Sequence, residues 1–335
     1  MTLSVHSPDE LVAVIPHMLG FKPEGSIVFV PMRCDLPVAR VDIPTTPKDR
    51  ELVWHSIRDG FSRHAQPGAS VGIVCFTADR RTADVVGQVF ADRLDTIGID
   101  TLVRLWADET RWADLDSGDT GLQTGAARER VAALTVLSGR AQPAASRESL
   151  AESLVGDREP IAMLLPDARQ AGAASTPRVE GRWALGRLQQ FQDDGIRLTD
   201  GDAARMLVAL DSIPIRDRLW NDMNRNNAAS HVALWIDVTR RAPDQVRAAP
   251  ASMLGFASWL SGHGAMAWCA LDQVPQDKPY ALADLVAAAV QMGMHPREWE
   301  AAKSQPAGSG MDRASGFAPS QPNVQHGQVG PAYGI

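Results

Sequence analysis

"LGFKPEGSIVFV", Leu19 to Val30, is the stretch on which the fold turns. From Gly20 to Ser26 the spacing is glycine, four residues, glycine, then serine, a phosphate-binding loop without its lysine. Such a loop runs from a strand through its glycines into a helix, whose amides and positive dipole end face the anion. Here the direction is reversed. The preceding "SPDELVAVIPHML" has Ser7 as a helix cap, Pro8 at the first helical position and acids in the first turn. Leu11, Val12, Ile15, Met18 and Leu19 then recur at helical spacing, with Pro16 expected to kink or split the helix. Gly20 suits the left-handed residue that ends a helix, Phe21 its hydrophobic partner, and Pro23 the block to continuation. An anion near Ser26 would meet the carbonyl end, carrying about half a negative charge, with Glu24 beside it. The glycines are punctuation, and no nucleotide is expected.

Outward from that turn, "SIVFVPM" is a buried strand and "PVARVDIP" an alternating one, paired with it as an antiparallel hairpin. A helix over 47–64, the strand "ASVGIVCFT", a helix over 82–97 and the strand "DTLVRLWA" follow. Strands separated by helices indicate crossover units, so a mixed sheet is expected. After about residue 125 the strand signals fade. "GAARERVAALTVLSG", "SRESLAESLV", "LTDGDAARMLVALDSIP", "IRDRLWNDM", "NAASHVALWIDVTRRAP", "APASMLGFASWLSG", "GAMAWCALDQV" and "ALADLVAAAVQMG" all read as helices, with "QPAAS" and "ARQAGAASTPRVEG" as linkers. Thr199 and Asp202 stand at capping-box spacing, and Pro214 is expected to end that helix. The expected organisation is α/β: a mixed α/β domain over 1–125, a mainly helical region over 126–302, and a tail over 303–335. The tail is rich in Gly, Pro, Ser and Gln and is expected to be disordered.

The chain has 335 residues, 44% hydrophobic and 22% charged, with a net charge of −7. That balance speaks against an electrostatic grip on nucleic acid. Lysine occurs only at 22, 48, 278 and 303, so arginine supplies nearly all positive charge. Cys34, Cys75 and Cys269 share no metal or disulfide spacing, and the latter two lie in apolar runs as small buried hydrophobes. Scattered thiols, the absence of a basic apolar leader and of any membrane-length apolar run give a cytoplasmic expectation.

Several constellations fail their context tests. "GASVG" (68–72) matches a hydrolase elbow, but Ser70 enters a strand after a helix instead of leaving a strand for one. "DLDSGDTG" (114–121) has Gly118 and Asp119 swapped relative to a calcium loop and Gly125 where a glutamate belongs, so a solvated acidic turn is expected. No two histidines stand at i, i+3 or i, i+4, and His17 is read as a surface residue. No catalytic residue, cofactor or metal is expected. Arg40 and Asp42 share one face of a strand, either as an ion pair on a solvated side, which is preferred, or lining a cleft. Arg216 and Asp217 follow a proline break, where they can cap a helix start, while Trp220 and Trp235 read as core. Leu254, Gly255, Gly262, Ala267, Leu271 and Pro279 fall at tetratricopeptide-like spacings, a single helical hairpin near 250–280 with no second copy.

In order along the chain, "AVIPHMLGFKPEGSIVFV", "ARVDIP", "LTDGDAARMLVALDSIPIRDRLW", "APASMLGFASWLSGHGAMAWCALDQV" and "YALADLVAAAVQMGMHP" resemble the actinobacterial family termed domain of unknown function 4192, over about residues 8 to 297. The paired cysteines that many members of that family carry before a "PxG" near "DLDSGDTGLQTG" are missing here, so no metal or redox role built on them carries over. The resemblance implies no activity. Two functions remain open. The favoured one is a non-catalytic partner-binding or regulatory module with a protein partner, self-association possible, and neither nucleic acid nor membrane involved. The alternative is an enzyme or small-ligand binder with a cleft between sheet and helices, for which Lys22, Glu24, Ser26, Arg40, Asp42, Arg216 and Asp217 are the candidate residues.

Overall fold

A computed structural model describes residues 7–32, 34, 36–137, 142–275 and 279–304. The first helix, α1 (Pro8–Leu19), has Pro8 in its first turn and runs through Pro16 without splitting. It ends at Gly20, whose φ of 81° places it in the left-handed region, with its amide donating to the Pro16 carbonyl. Ser7 sits at the cap position, but its hydroxyl donates to Asp9 Oδ1 (2.6 Å) and caps no amide. The strand β1 (Ser26–Pro31) follows and pairs antiparallel with β2 (Ala39–Asp42). The opening turn is therefore helix end to strand, as its polarity required.

Next, α2 (Pro47–His64) starts from a full capping box between Thr46 and Asp49. Then come β3 (Ser70–Phe76), α3 (Arg80–Asp95) and β4 (Asp100–Ala107). β3 and β4 are parallel, as the intervening helix requires, whereas β1 lies antiparallel beside β3. Two short strands, β5 (Arg111–Asp114) and β6 (Thr120–Leu122), extend the sheet as an antiparallel meander, giving the order β2-β1-β3-β4-β5-β6. The expected solvated acidic turn lies at 115–119, between these two strands, with 116–119 exposed. Asp114 Oδ1 caps its turn by accepting from the amides of Asp116 and Ser117, and Asp116 accepts from buried Arg104 at 2.6 Å.

Phe29 on β1 meets Phe61 of α2 at 5.7 Å and Phe90 of α3 at 5.5 Å, so both helices cover one sheet face. Side chains alternate along a strand, and Gly72 on β3 looks the other way, towards Leu11 of α1. The helix α4 (Gly125–Leu137) packs back on α1.

The helices that follow are α5 (Arg147–Glu152), α6 (Glu159–Ala173), α7 (Pro177–Asp194), α8 (Asp200–Ala209), α9 (Ile213–Asp222), α10 (Ala228–Arg241), α11 (Ala248–Leu260), α12 (Gly264–Leu271), α13 (Ala281–Gln291) and α14 (Pro296–Ser304). Residues 168–181 are not a linker: they finish α6 and open α7 across a break at Ala174–Thr176. "QPAAS" is tethered as well, because Ala144 exchanges backbone hydrogen bonds with Gly20 and Lys22. The expected hairpin is α11–α12, turned at Gly262 (φ 76°). Its helices approach so closely that a Cβ on Gly255 would meet Leu271 at 3.3 Å. Pro214 begins α9 and does not end α8, which closes at Ala209. The expected tail lies outside the described residues from 305 onward, while Lys303 and Ser304 still belong to α14.

Candidate functional site

Five of the candidate residues gather at the β1–β2 edge. Lys22 and Glu24 are exposed in the turn, and the Ser26 hydroxyl is buried, donating to the Glu24 carbonyl at 2.6 Å. Arg40 Nε donates to Ser26 Oγ at 2.9 Å and its Nη2 pairs with Asp42 at 2.7 Å. Arg40 is only 8% exposed and lies 5.6 Å from the Phe21 ring, so the expected solvated ion pair holds for Asp42 alone. Burial pushes the Arg40 pKa down, against the pull of Asp42. Arg216 and Asp217 lie on α9, where Arg216 donates to Asp217 Oδ1 (2.9 and 2.7 Å) and to the Tyr280 hydroxyl (3.2 Å). Burial alone would lower the Arg216 pKa, but those hydrogen bonds outweigh it and leave the pKa raised. Among the described residues no hydrogen bond, ion pair or ring contact joins Arg216 and Asp217 to the five at the sheet edge.

Of the other residues singled out from the sequence, Ser70 donates through Oγ to the Met32 carbonyl at 2.9 Å, within the sheet. His17 is not a plain surface residue: its Nδ1 is buried and without a hydrogen-bond partner, and desolvation lowers its pKa. Burial pushes the Cys75 thiol up to about 12 and the Cys269 thiol to about 11. Among the described residues no three His, Cys, Asp or Glu side chains converge in a metal-binding arrangement.

The sequence hid a buried polar knot and a cleft. In the knot, His231 is fully buried on α10. Trp235 Nε1 donates to His231 Nδ1 (3.2 Å), so Nε2 carries the hydrogen and donates to Asp222 Oδ2 (3.0 Å). Gln192 of α7 donates to the same carboxylate oxygen at 3.1 Å, tying α7, α9 and α10 together. The hydrogen bond with His231 holds the Asp222 carboxyl below its ordinary value.

The cleft has a volume of about 680 Å³ and lies wholly within the helical half. Its charged walls are Asp157 from the α5–α6 connection, Arg197 from the α7–α8 connection, Asp200 at the start of α8, and Asp237, Arg240 and Arg241 from the last turns of α10. Gly156, Pro160, Leu198 and Thr199 complete the lining.

Arg241, its side chain 8% exposed, is the anchor. It donates to Asp200 Oδ1 (2.9 Å), to the Leu198 carbonyl (3.2 Å) and to Asp237 Oδ2. The other Asp237 oxygen pairs with Arg197 Nε at 2.5 Å. Both Asp237 oxygens are therefore occupied. Arg240 is exposed and has no carboxylate partner among the described residues. Gly156 fixes the distance between the cleft's sides, since a Cβ there would stand 3.0 Å from the Arg240 carbonyl oxygen. Thr199 caps α8 by accepting from the Asp202 amide at 3.1 Å, as its spacing with Asp202 foretold. The cleft's one local signal is the i, i+4 pair Asp237–Arg241, which looks like ordinary helix-surface pairing.

These elements define an α/β protein whose mixed sheet carries a helical half with its own charged cleft. The chain belongs to the family described as domain of unknown function (DUF4192), whose model matches residues 8–297. No curated protein and no solved structure matches it. Among the described residues no helix is long and apolar enough to cross a membrane.

Proposed function

We propose that this chain is a non-catalytic binding module: the sheet layer is the scaffold and the charged cleft of the helical half is the recognition site. The observation that carries the reading is the chemistry of the cleft's lining. Six charged side chains can orient a ligand, and no His, Cys or Lys is among the lining residues. The three carboxylates, the remaining candidates for a nucleophile or proton shuttle, are each engaged, Asp237 by Arg197 and Arg241, Asp200 by Arg241 and Asp157 by the Glu159 amide. The lone hydroxyl, Thr199, is committed to capping α8. The volume suits a small ligand.

A protein partner that delivers or senses that ligand is supported by exposed apolar side chains near the cleft. Val155 precedes Gly156, Ile196 precedes Arg197, and Met163 lies about one turn beyond Pro160 on α6. The setting that accompanies this function is the cytoplasm of an actinobacterium, supported by three unpaired thiols and by the excess of arginine over lysine.

The test is retention from a polar cell extract. The purified chain is incubated with extract, separated by size exclusion, and its bound fraction analysed by mass spectrometry. Wild type is expected to retain a polar species unchanged, and the Arg197→Ala/Arg240→Ala double variant to release it. Chemical conversion of the retained species would overturn the non-catalytic reading. Equal retention by both proteins would overturn the cleft as its seat.

A further inference from the structure

We infer that the cleft binds the phosphate group of a small-molecule monoester, held between Arg197, Arg240 and the N-terminal amides of α8. The inference rests on the binding function proposed above and supplies its ligand class.

Acceptors and donors in the cleft are unequally spent. Both Asp237 oxygens and Asp200 Oδ1 are already taken by Arg197 and Arg241. Asp157 Oδ1 accepts from the Glu159 amide at 3.1 Å. The unpaired donors outnumber the two carboxylate oxygens left over, Asp157 Oδ2 and Asp200 Oδ2. Arg240 has no carboxylate partner among the described residues, and Arg197, 66% exposed at its side chain, forms its ion pair through Nε. The first-turn amides of Asp200 and Gly201 have no intrahelical acceptor, and the helix dipole adds roughly half a positive charge at that end. Buried Arg241 lines the same cavity, and its Nε has no hydrogen-bond partner. A ligand that completes this arrangement brings acceptors.

The donors also come from three separate elements: the α7–α8 connection, the last turn of α10 and the first turn of α8. A planar carboxylate offers two oxygens in one plane, whereas a phosphate monoester offers three oxygens on a tetrahedron, one for each donor set. The formal charges of the six lining side chains cancel, so the unpaired donors, not a net positive field, must select the ligand. The volume of about 680 Å³ leaves room for an organic remainder beyond the phosphate.

Isothermal titration with inorganic phosphate, glycerol 3-phosphate, a phosphoserine peptide, acetate and malonate tests this on the full chain. Glycerol 3-phosphate is expected to bind saturably at one site, at least tenfold tighter than either carboxylate and tighter than the peptide. Its affinity should rise between pH 5.5 and 7.5 as the phosphate takes its second charge near pH 6. Arg240→Ala and Arg197→Ala should each weaken binding about tenfold or more, and Arg240→Lys should recover part of the loss. Arg218→Ala, on α9, should leave binding unchanged. Circular dichroism and melting curves check that each variant is folded. Weak or non-saturating binding that survives Arg240→Ala would mean an adventitious ion only and would overturn the inference. Tighter binding of malonate or of the phosphopeptide would also overturn it. If no anion binds while the extract experiment still yields an Arg197- and Arg240-dependent species, the phosphate assignment fails and the binding function stands.

Discussion

At the scale of single residues, Glu180 shows how a buried charge is committed to structure. Glu180 of α7 is nearly buried and accepts from Arg205 Nε at 2.9 Å and Nη2 at 3.0 Å, while Arg205 stacks 4.1 Å from the Trp183 ring. The hydrogen bonds from Arg205 hold the Glu180 carboxyl below its ordinary value of 4.5, and the same pairing raises the Arg205 pKa. A carboxylate with a depressed folded pKa stabilises the fold fully above its unfolded pKa. It loses that contribution as pH falls through the folded one. Arg205 is partly solvated, so screening keeps the pair to about 1 kcal/mol. Glu180→Gln should therefore lower stability by about 1 kcal/mol at pH 7. Urea unfolding across pH 3 to 7 should show the difference from wild type shrinking as pH falls below 4.5. A difference that is constant with pH would place the effect in packing and not in the ion pair.

The element scale shows what a sequence can and cannot announce. The first four strands are legible because "SIVFV" and "VGIVCF" are apolar runs that water drives inward whatever their partners. β5 and β6 were not legible: "RWAD" and "TGL" are too short and polar to form strands alone, and they form because β5 pairs with the edge of β4 and β6 with β5. α6 was hidden by Pro166 and Gly172, residues that disfavour a helix; Gly172 lies against Val208 of α8, so tertiary contact outweighs their low propensity. The α11–α12 hairpin was legible because small residues at crossing points leave a spacing pattern. Gly255→Val should destabilise the protein by about 1–3 kcal/mol, because Leu271 and the Ala267 carbonyl stand within 3.4 Å of the added Cβ. Chemical denaturation reads this directly, and a change below about 0.5 kcal/mol would show that the two helices do not press together at that point.

For the whole molecule, one continuous cluster of buried apolar residues runs from Leu11 in α1 to Val290 in α13, linking sheet and helices. The two halves also meet where His64 of α2 hydrogen-bonds the Gly293 carbonyl at 2.9 Å and Gly60 lies against Gly293. Arg40 and Arg216 are each bonded to their own neighbours, Arg40 to Ser26 and Asp42, and Arg216 to Asp217 and Tyr280. The cleft escaped the sequence. Gly156, Arg197 and Arg240 come from three distant stretches, and nothing in any one of them marks the others.

Hydrogen–deuterium exchange with and without a polar cell extract tests the location of the site most directly. Added protection is expected in 156–160, 196–202 and 237–241, the segments that wall the cleft. Protection confined to the β1–β2 edge or to α9, with those three segments unchanged, would contradict a binding site in the helical half.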